Sequence, residues 1–220
     1  GDTGDAQNGY YFDIGVGSGT GITVVASGGT NVLLKGTHDA INIVKTSRTK
    51  DAFRFDGVVT DVRISGSDVQ GTLTFKDGGT LTNLEIHECP GATIKVGTGG
   101  TITLAEIDSG NVQLDKALTT LNISGGATVR HTAGAVGTAN NRGANVSYEG
   151  SGTLTALNNR SGVFDFRRNK TQGTVTVSAA TIWGGLIIDR GGLKNSSYTA
   201  NIIRYGGEIQ SETAVTVSAV

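Results

Sequence analysis

Three residue types are almost missing from this chain: its 220 residues include one cysteine, one proline and no methionine. Cys89 alone can close no disulfide within the chain and cannot build a cysteine-based metal site, so a disulfide-stapled module is excluded. With 35 glycines against the single Pro90, neither a proline-rich linker nor a long collagen stalk fits. No apolar run approaches the ~18–20 residues that cross a bilayer as a helix. No stretch places apolar residues at three- and four-residue spacing, so helix content is expected to be near zero. No signal peptide is visible and the first residue is Gly1 rather than Met. The numbering is therefore expected to begin after a processed, disordered or truncated leader.

Charge of one sign is also lacking. The chain carries 18 Lys and Arg against 19 Asp and Glu, which argues against a general nucleic-acid binder. The balance is uneven along the chain. Residues 1–141 hold 10 basic and 14 acidic side chains. Residues 142–204 hold eight basic (Arg142, Arg160, Arg167, Arg168, Lys170, Arg190, Lys194, Arg204) and three acidic (Glu149, Asp165, Asp189). A scattered, solvated face is the ordinary reading of such a bias. The sharper one is a docking surface for an acidic partner.

What is present is repetition. A six-residue pattern of apolar, Thr, any, apolar, any, apolar recurs as Val59-Thr-Asp-Val-Arg-Ile64, Leu81-Thr-Asn-Leu-Glu-Ile86 and Ile102-Thr-Leu-Ala-Glu-Ile107. It continues as Leu118-Thr-Thr-Leu-Asn-Ile123 and, more loosely, Leu154-Thr-Ala-Leu-Asn-Asn159, with Trp183-Gly-Gly-Leu-Ile-Ile188 read as a variant. The starts lie 22, 21, 16, 36 and 29 residues apart. Most copies are followed by Gly and a second short strand: Gly71–Phe75, Ala92–Val96, Asn111–Leu114, Ala127–Arg130 and Val163–Phe166. Units this small cannot bury an apolar face alone, whereas stacked copies can. Gly pairs such as Gly78-Gly79 and Gly125-Gly126 supply the corners, since Gly takes left-handed backbone angles without steric cost. The expected fold is all-β: a single-stranded, right-handed parallel β-helix, or β-solenoid, of roughly eight to ten coils. Residues 1–21 are expected to form an N-terminal arm, with Gly15–Gly21 a flexible loop, and residues 22–220 the β-helix. A β-sandwich is the competing architecture; it wants longer strands joined by hairpin turns.

In a solenoid, chemistry is sought in columns of equivalent positions. The second position of the repeat gives Thr60, Thr82, Thr103, Thr119 and Thr155. Such Thr arrays resemble those of β-helical ice-binding proteins. Strand preference and hydroxyl stacking account for them as well, and uneven coil spacing would spoil a flat lattice. The fifth position gives Arg63, Glu85, Glu106, Asn122 and Asn158. Glu85 and Glu106 in adjacent coils would sit at about the separation of a retaining glycosidase's carboxyl pair. Arg63 beside them points instead to a surface charge ladder. His38, His87 and His131 show no metal-ligand spacing. No catalytic residue, metal site or cofactor is expected.

The run Leu118-Thr-Thr-Leu-Asn-Ile-Ser-Gly-Gly-Ala-Thr-Val129 resembles the degenerate repeats of β-helical virion proteins of tailed bacteriophages. These include capsid decoration proteins and the shafts of tail spikes and fibres. The resemblance covers residues 59–188 and carries over no functional residue. It implies a non-enzymatic structural protein of the virion, capsid decoration ahead of a tail fibre component. Its partners would be other virion proteins and copies of itself, as in a homotrimer, with neither nucleic acid nor membrane involved. Two alternatives share the architecture: a carbohydrate-active enzyme or tail spike that cleaves glycans, and an extracellular cell-surface adhesin.

Overall fold

Short runs of Val, Ile, Leu and Thr alternate with polar residues, a pattern that fits a pleated surface with one buried face. In the computed structural model these runs form strands. The structure describes residues 11–26, 28–97, 99–150, 152–167, 175–189, 196–198, 202–211 and 217–219. The strands are β1 Tyr11–Val25, β2 Asn31–Lys45, β3 Phe53–Ser65, β4 Gly71–Asp77, β5 Leu81–His87, β6 Ala92–Gly97, β7 Thr101–Ile107, β8 Asn111–Leu114 and β9 Ala117–Ser124. They continue as β10 Thr128–His131, β11 Val136–Tyr148, β12 Gly152–Asp165, β13 Val175–Ile182, β14 Leu186–Asp189, β15 Ser196–Tyr198, β16 Ile202–Arg204, β17 Glu208–Ser211 and β18 Val217–Ala219. No helix occurs among the described residues.

Every strand pairing is parallel, and each strand pairs with its equivalents one coil away. One wall runs through β5, β7, β9 and the first halves of β11 and β12 to β13. The other runs through β4, β6, β8, β10 and the second halves of β11 and β12 to β14 and β17. The chain is a β-solenoid, as the repeat predicts. β1 corrects one expectation. Its backbone pairs with β2 from Tyr11↔Asn31 to Val25↔Lys45, so Gly15–Gly21 is strand rather than loop, and the arm boundary at residue 21 falls inside it. A ladder needs only backbone N–H and C=O groups, and glycine supplies both.

The register stacks like on like. The fourth position of the repeat runs as Ile22, Ile41, Val62, Leu84, Ala105, Leu121, Ala139, Leu157, Ala180 and Ile202, one residue per coil. Val62, Leu84, Ala105 and Leu121 are all buried, as the solenoid reading requires. The sixth position is an isoleucine column through Ile43, Ile64, Ile86, Ile107 and Ile123 that then meets Asn141 and Asn159. Both asparagines are buried, and both are satisfied. Asn141 Nδ2 donates to Asn159 Oδ1 at 2.9 Å, Ala144 N donates to Asn141 Oδ1 at 3.0 Å, and Asn159 Nδ2 donates to the Gly184 carbonyl at 2.9 Å. A paired buried amide avoids the penalty that an unpaired one carries.

The register also exposes coils that the pattern hides. The gap between Leu118 and Leu154 contains one more copy, Val136-Gly-Thr-Ala-Asn-Asn141, whose Val136 pairs with both neighbours. Gly137 replaces the repeat's Thr because a Cβ there would lie 2.5 Å from the Thr119 carbonyl oxygen. The next copy starts at Val177, which pairs with Leu154. Trp183 therefore does not open a repeat; it follows Ile182 at the seventh position, and Leu186–Asp189 is a strand of the other wall.

That other wall buries Leu34, Phe55, Phe75, Val96 and Leu114 in one column, which continues through His131 and Tyr148. The His131 ring is stacked on Tyr148 with centroids 4.8 Å apart, and its Nε2 is 2.9 Å from the Lys116 carbonyl oxygen. Its Nδ1 has no partner. Nε2 therefore carries the proton of the neutral ring, and a second proton on Nδ1 would sit in a dry core without an acceptor.

Two outcomes follow from this core. Leu84→Asp places an unpaired charge in the fourth-position column. It should cost more than about 3 kcal/mol or prevent folding, as read by chemical denaturation. His131 titrates below the usual histidine range because burial disfavours its charged form, which the Lys116 carbonyl and Asp115 only partly offset. The unfolded chain then binds the proton first, so stability should fall as pH drops below about 6.5 and level off beneath the folded value. The excess slope of midpoint against pH should vanish in His131→Phe.

Candidate functional site

The fifth and seventh positions of the repeat flank the buried sixth, so both columns face outward from one wall. The fifth-position column runs Arg63, Glu85, Glu106, Asn122, Asn140, Asn158 and Thr181. The seventh holds Ser65, His87, Asp108, Ser124, Arg142, Arg160, Trp183 and Tyr205, each following the sixth-position residue of its coil.

Glu85 and Glu106 do occupy adjacent coils. Each carboxylate already has a neighbour. Arg63 Nε lies 3.7 Å from Glu85 Oε2, His87 Nε2 lies 3.9 Å from the same oxygen, and Asn122 Nδ2 donates to Glu106 Oε1 at 3.4 Å. His87 Nδ1 is 2.8 Å from Asp108 Oδ2, and Asp108 Oδ1 accepts from the Glu88 backbone N–H at 3.1 Å. Further along, Asn140 Nδ2 donates to Asn122 Oδ1 and Asn158 Nδ2 to Asn140 Oδ1, both at 2.8 Å. A shallow cleft of about 220 Å³ lies over this face, between His87, Glu106 and Asp108 at one end and Asn140 and Arg142 at the other.

Beyond Arg142 the seventh column changes character. The Arg160 guanidinium lies 5.0 Å from the centre of the Trp183 ring, and Tyr205 stacks on Trp183 at 6.0 Å with 11° between planes. Gly184 and Gly206 turn the chain just after the two aromatics. A Cβ on either would lie 2.6 Å from the carbonyl oxygen one coil below, at Arg160 and Trp183 respectively, so only glycine lets the coils close enough to stack these rings.

Of the eight basic residues four are described, and these four do not share one wall. Arg142 and Arg160 are exposed on the same wall of adjacent coils, where a register shift pairs Arg142 with Ser161 rather than with Arg160, and Arg204 is exposed beside Tyr205. Arg167 ends the other wall, where it is held by Asp165, with Nη2 2.7 Å from Oδ2; that pairing raises its pKa. Arg168, Lys170, Arg190 and Lys194 lie outside the described residues. The Thr column is exposed but interrupted by Gly137 and Ser178, which breaks the array that ice binding needs. Cys89 is buried; desolvation pushes its thiol pKa up, against the hydrogen bond from Ser109, so it is not poised for reaction. Among the described residues no group of His, Cys, Asp and Glu is arranged to hold a metal ion.

Sequence reasoning missed the seventh column. His87 and Asp108 each follow the last isoleucine of their repeat, so extending the six-residue pattern by one position aligns them. Asn140 and Trp183 fall into place only when the Val136 and Val177 copies are recognised.

Glu85 and Glu106 are outward, half-buried and partnered, so removing either charge loses little. Glu85→Gln and Glu106→Gln should each change stability by less than about 1 kcal/mol in denaturant titrations. Comparison of the chain with protein-family models, with curated proteins and with solved structures finds no match.

Proposed function

We propose that this chain is a non-enzymatic structural protein of a bacteriophage particle, most simply a capsid decoration protein or else a tail fibre component. The observation that carries the structural part is the stitching of consecutive coils by side chains on the outer wall. Arg63 reaches Glu85, His87 reaches Asp108, and Glu106, Asn122, Asn140 and Asn158 follow one another. The carboxylates that chemistry would require are members of this seam. Lateral bonds of this kind add to the backbone ladder and resist shear between coils, which suits a rod that bears force in an assembly. The particle itself is inferred from the repeat around Leu118–Val129, and a homotrimer is the assembly that this resemblance favours.

Purified particles from the source culture test the reading. Immunogold labelling and mass spectrometry should find the chain in many copies per particle, and light scattering of the isolated protein should give a trimer. Labelling confined to cell surfaces would support an adhesin instead. Cleavage of polysaccharides by the pure protein, abolished in Glu106→Gln, would replace the structural reading with an enzymatic one.

A further inference from the structure

We propose that the outer wall of the later coils, formed by Asn122, Asn140, Asn158, Arg142, Arg160 and Trp183, binds a linear acidic polysaccharide laid along the rod axis. The site does not depend on where the protein resides, so it stands apart from the virion reading.

The first support is unused hydrogen-bonding capacity. A side-chain amide has two N–H donors and two acceptor lone pairs. In the Asn122–Asn140–Asn158 ladder each amide spends one N–H on a neighbour, and Asn122 and Asn140 each spend one lone pair. The second donor and second acceptor recur at the coil spacing of ~4.8 Å, on side chains that are half-buried and held in place. A folded protein surface offers hydrogen-bonding groups at irregular intervals. A polymer of sugars offers hydroxyls repeatedly along its length, at a spacing of the same order.

The second support is charge. Arg142 and Arg160 are exposed in the adjoining column, and among the described residues neither has a carboxylate partner. Planar guanidinium groups bind carboxylates and sulfates by paired hydrogen bonds. The acidic residues of the same wall lie in earlier coils and are engaged, Glu106 by Asn122 and Asp108 by His87. The charge of the wall therefore turns positive where the amide ladder runs.

The third is exposed apolar surface. Among the described residues the large exposed apolar side chains are Val25, Val58, Trp183 and Tyr205, and both aromatics stand on this stripe, at 41% and 55% exposure. Trp183 is pinned between Arg160 and Tyr205, so its faces are engaged within the stack and its exposed part is a fixed apolar edge, presented at low entropic cost. Amides, guanidinium groups and a rigid aromatic edge together match a chain that carries hydroxyls, acid groups and C–H groups.

Affinity electrophoresis of the whole chain in gels containing polygalacturonate, dextran sulfate, neutral dextran or polyglutamate tests this. Retardation by at least one of the two acidic polysaccharides is expected, with none by dextran or polyglutamate. Arg160→Gln and Trp183→Ala should each weaken binding about tenfold while Lys95→Glu, on the other wall, leaves it unchanged. Circular dichroism checks that each variant folds; should Trp183→Ala disturb the stack, the exposed Arg160→Gln still decides. Equal retardation by polyglutamate would assign the stripe to acidic protein surfaces and overturn the proposal. So would binding unaffected by Arg160→Gln, or no binding to either acidic polysaccharide.

Discussion

The parallel backbone ladder between coils is the constraint from which everything else in this molecule follows. It holds each strand at ~4.8 Å from its equivalent and in fixed register, so a residue's neighbours are its counterparts one repeat earlier and later. A side chain therefore succeeds only if it can stack on its own kind or on a compatible partner. Branched aliphatics do so inside, where Ile43, Ile64, Ile86, Ile107 and Ile123 form one column. Amides do so both inside, at Asn141 and Asn159, and outside, at Asn122, Asn140 and Asn158, because an amide is donor and acceptor at once. Carboxylates do not. Glu85 above Glu106 is tolerated because the pair faces outward and each has a partner on its far side.

The same constraint explains the core's polar members. His131 and Tyr148 replace aliphatics in a column where two rings can stack, which preserves packing area even though His131 Nδ1 and the Tyr148 hydroxyl have no partner. Burial raises the Tyr148 pKa and lowers that of His131, so both rings stay neutral near pH 7. Lys116 turns inward at the same level and donates to the Gly79 carbonyl at 3.0 Å, so the corner is tied across coils by a charge as well as by rings. This level of the rod trades hydrophobic stabilisation for directional contacts, and burial of the His131 ring there disfavours its charged form.

Much of the architecture was legible in the sequence because an inward position tolerates few residue types. The Leu81, Ile102 and Leu118 copies and their buried fourth positions can be read from spacing alone. The copies at Val136 and Val177 cannot. In the first, close approach of the coils demands Gly137 in place of Thr, and the sixth position admits Asn141 in place of Ile; in the second, Ser178 stands in place of Thr, so each copy loses letters that define the pattern. The candidate site was legible only in part for a related reason. Outward positions are free to vary, and their meaning comes from which residues the register brings side by side. Arg160, Trp183 and Tyr205 look unrelated along the chain and are consecutive members of one stack.

The outer wall changes its chemistry in order along the axis, from ion pairs at Arg63, Glu85, His87 and Asp108, through amides, to guanidinium and aromatic groups at Arg160, Trp183 and Tyr205. Stacking alone would be met by threonine or asparagine in every coil. Two costs go beyond it: exposing Trp183 and Tyr205, and reserving glycines after each so that they can meet. Glycine at those corners gives up backbone entropy on folding, and an exposed ring forgoes the transfer free energy of burial. Neither is recovered by the stack itself, since Trp183 and Tyr205 remain open to water at their edges. The proposed contact with a polymer outside the chain would recover both, and the amide ladder on the same wall would give that contact a direction along the rod.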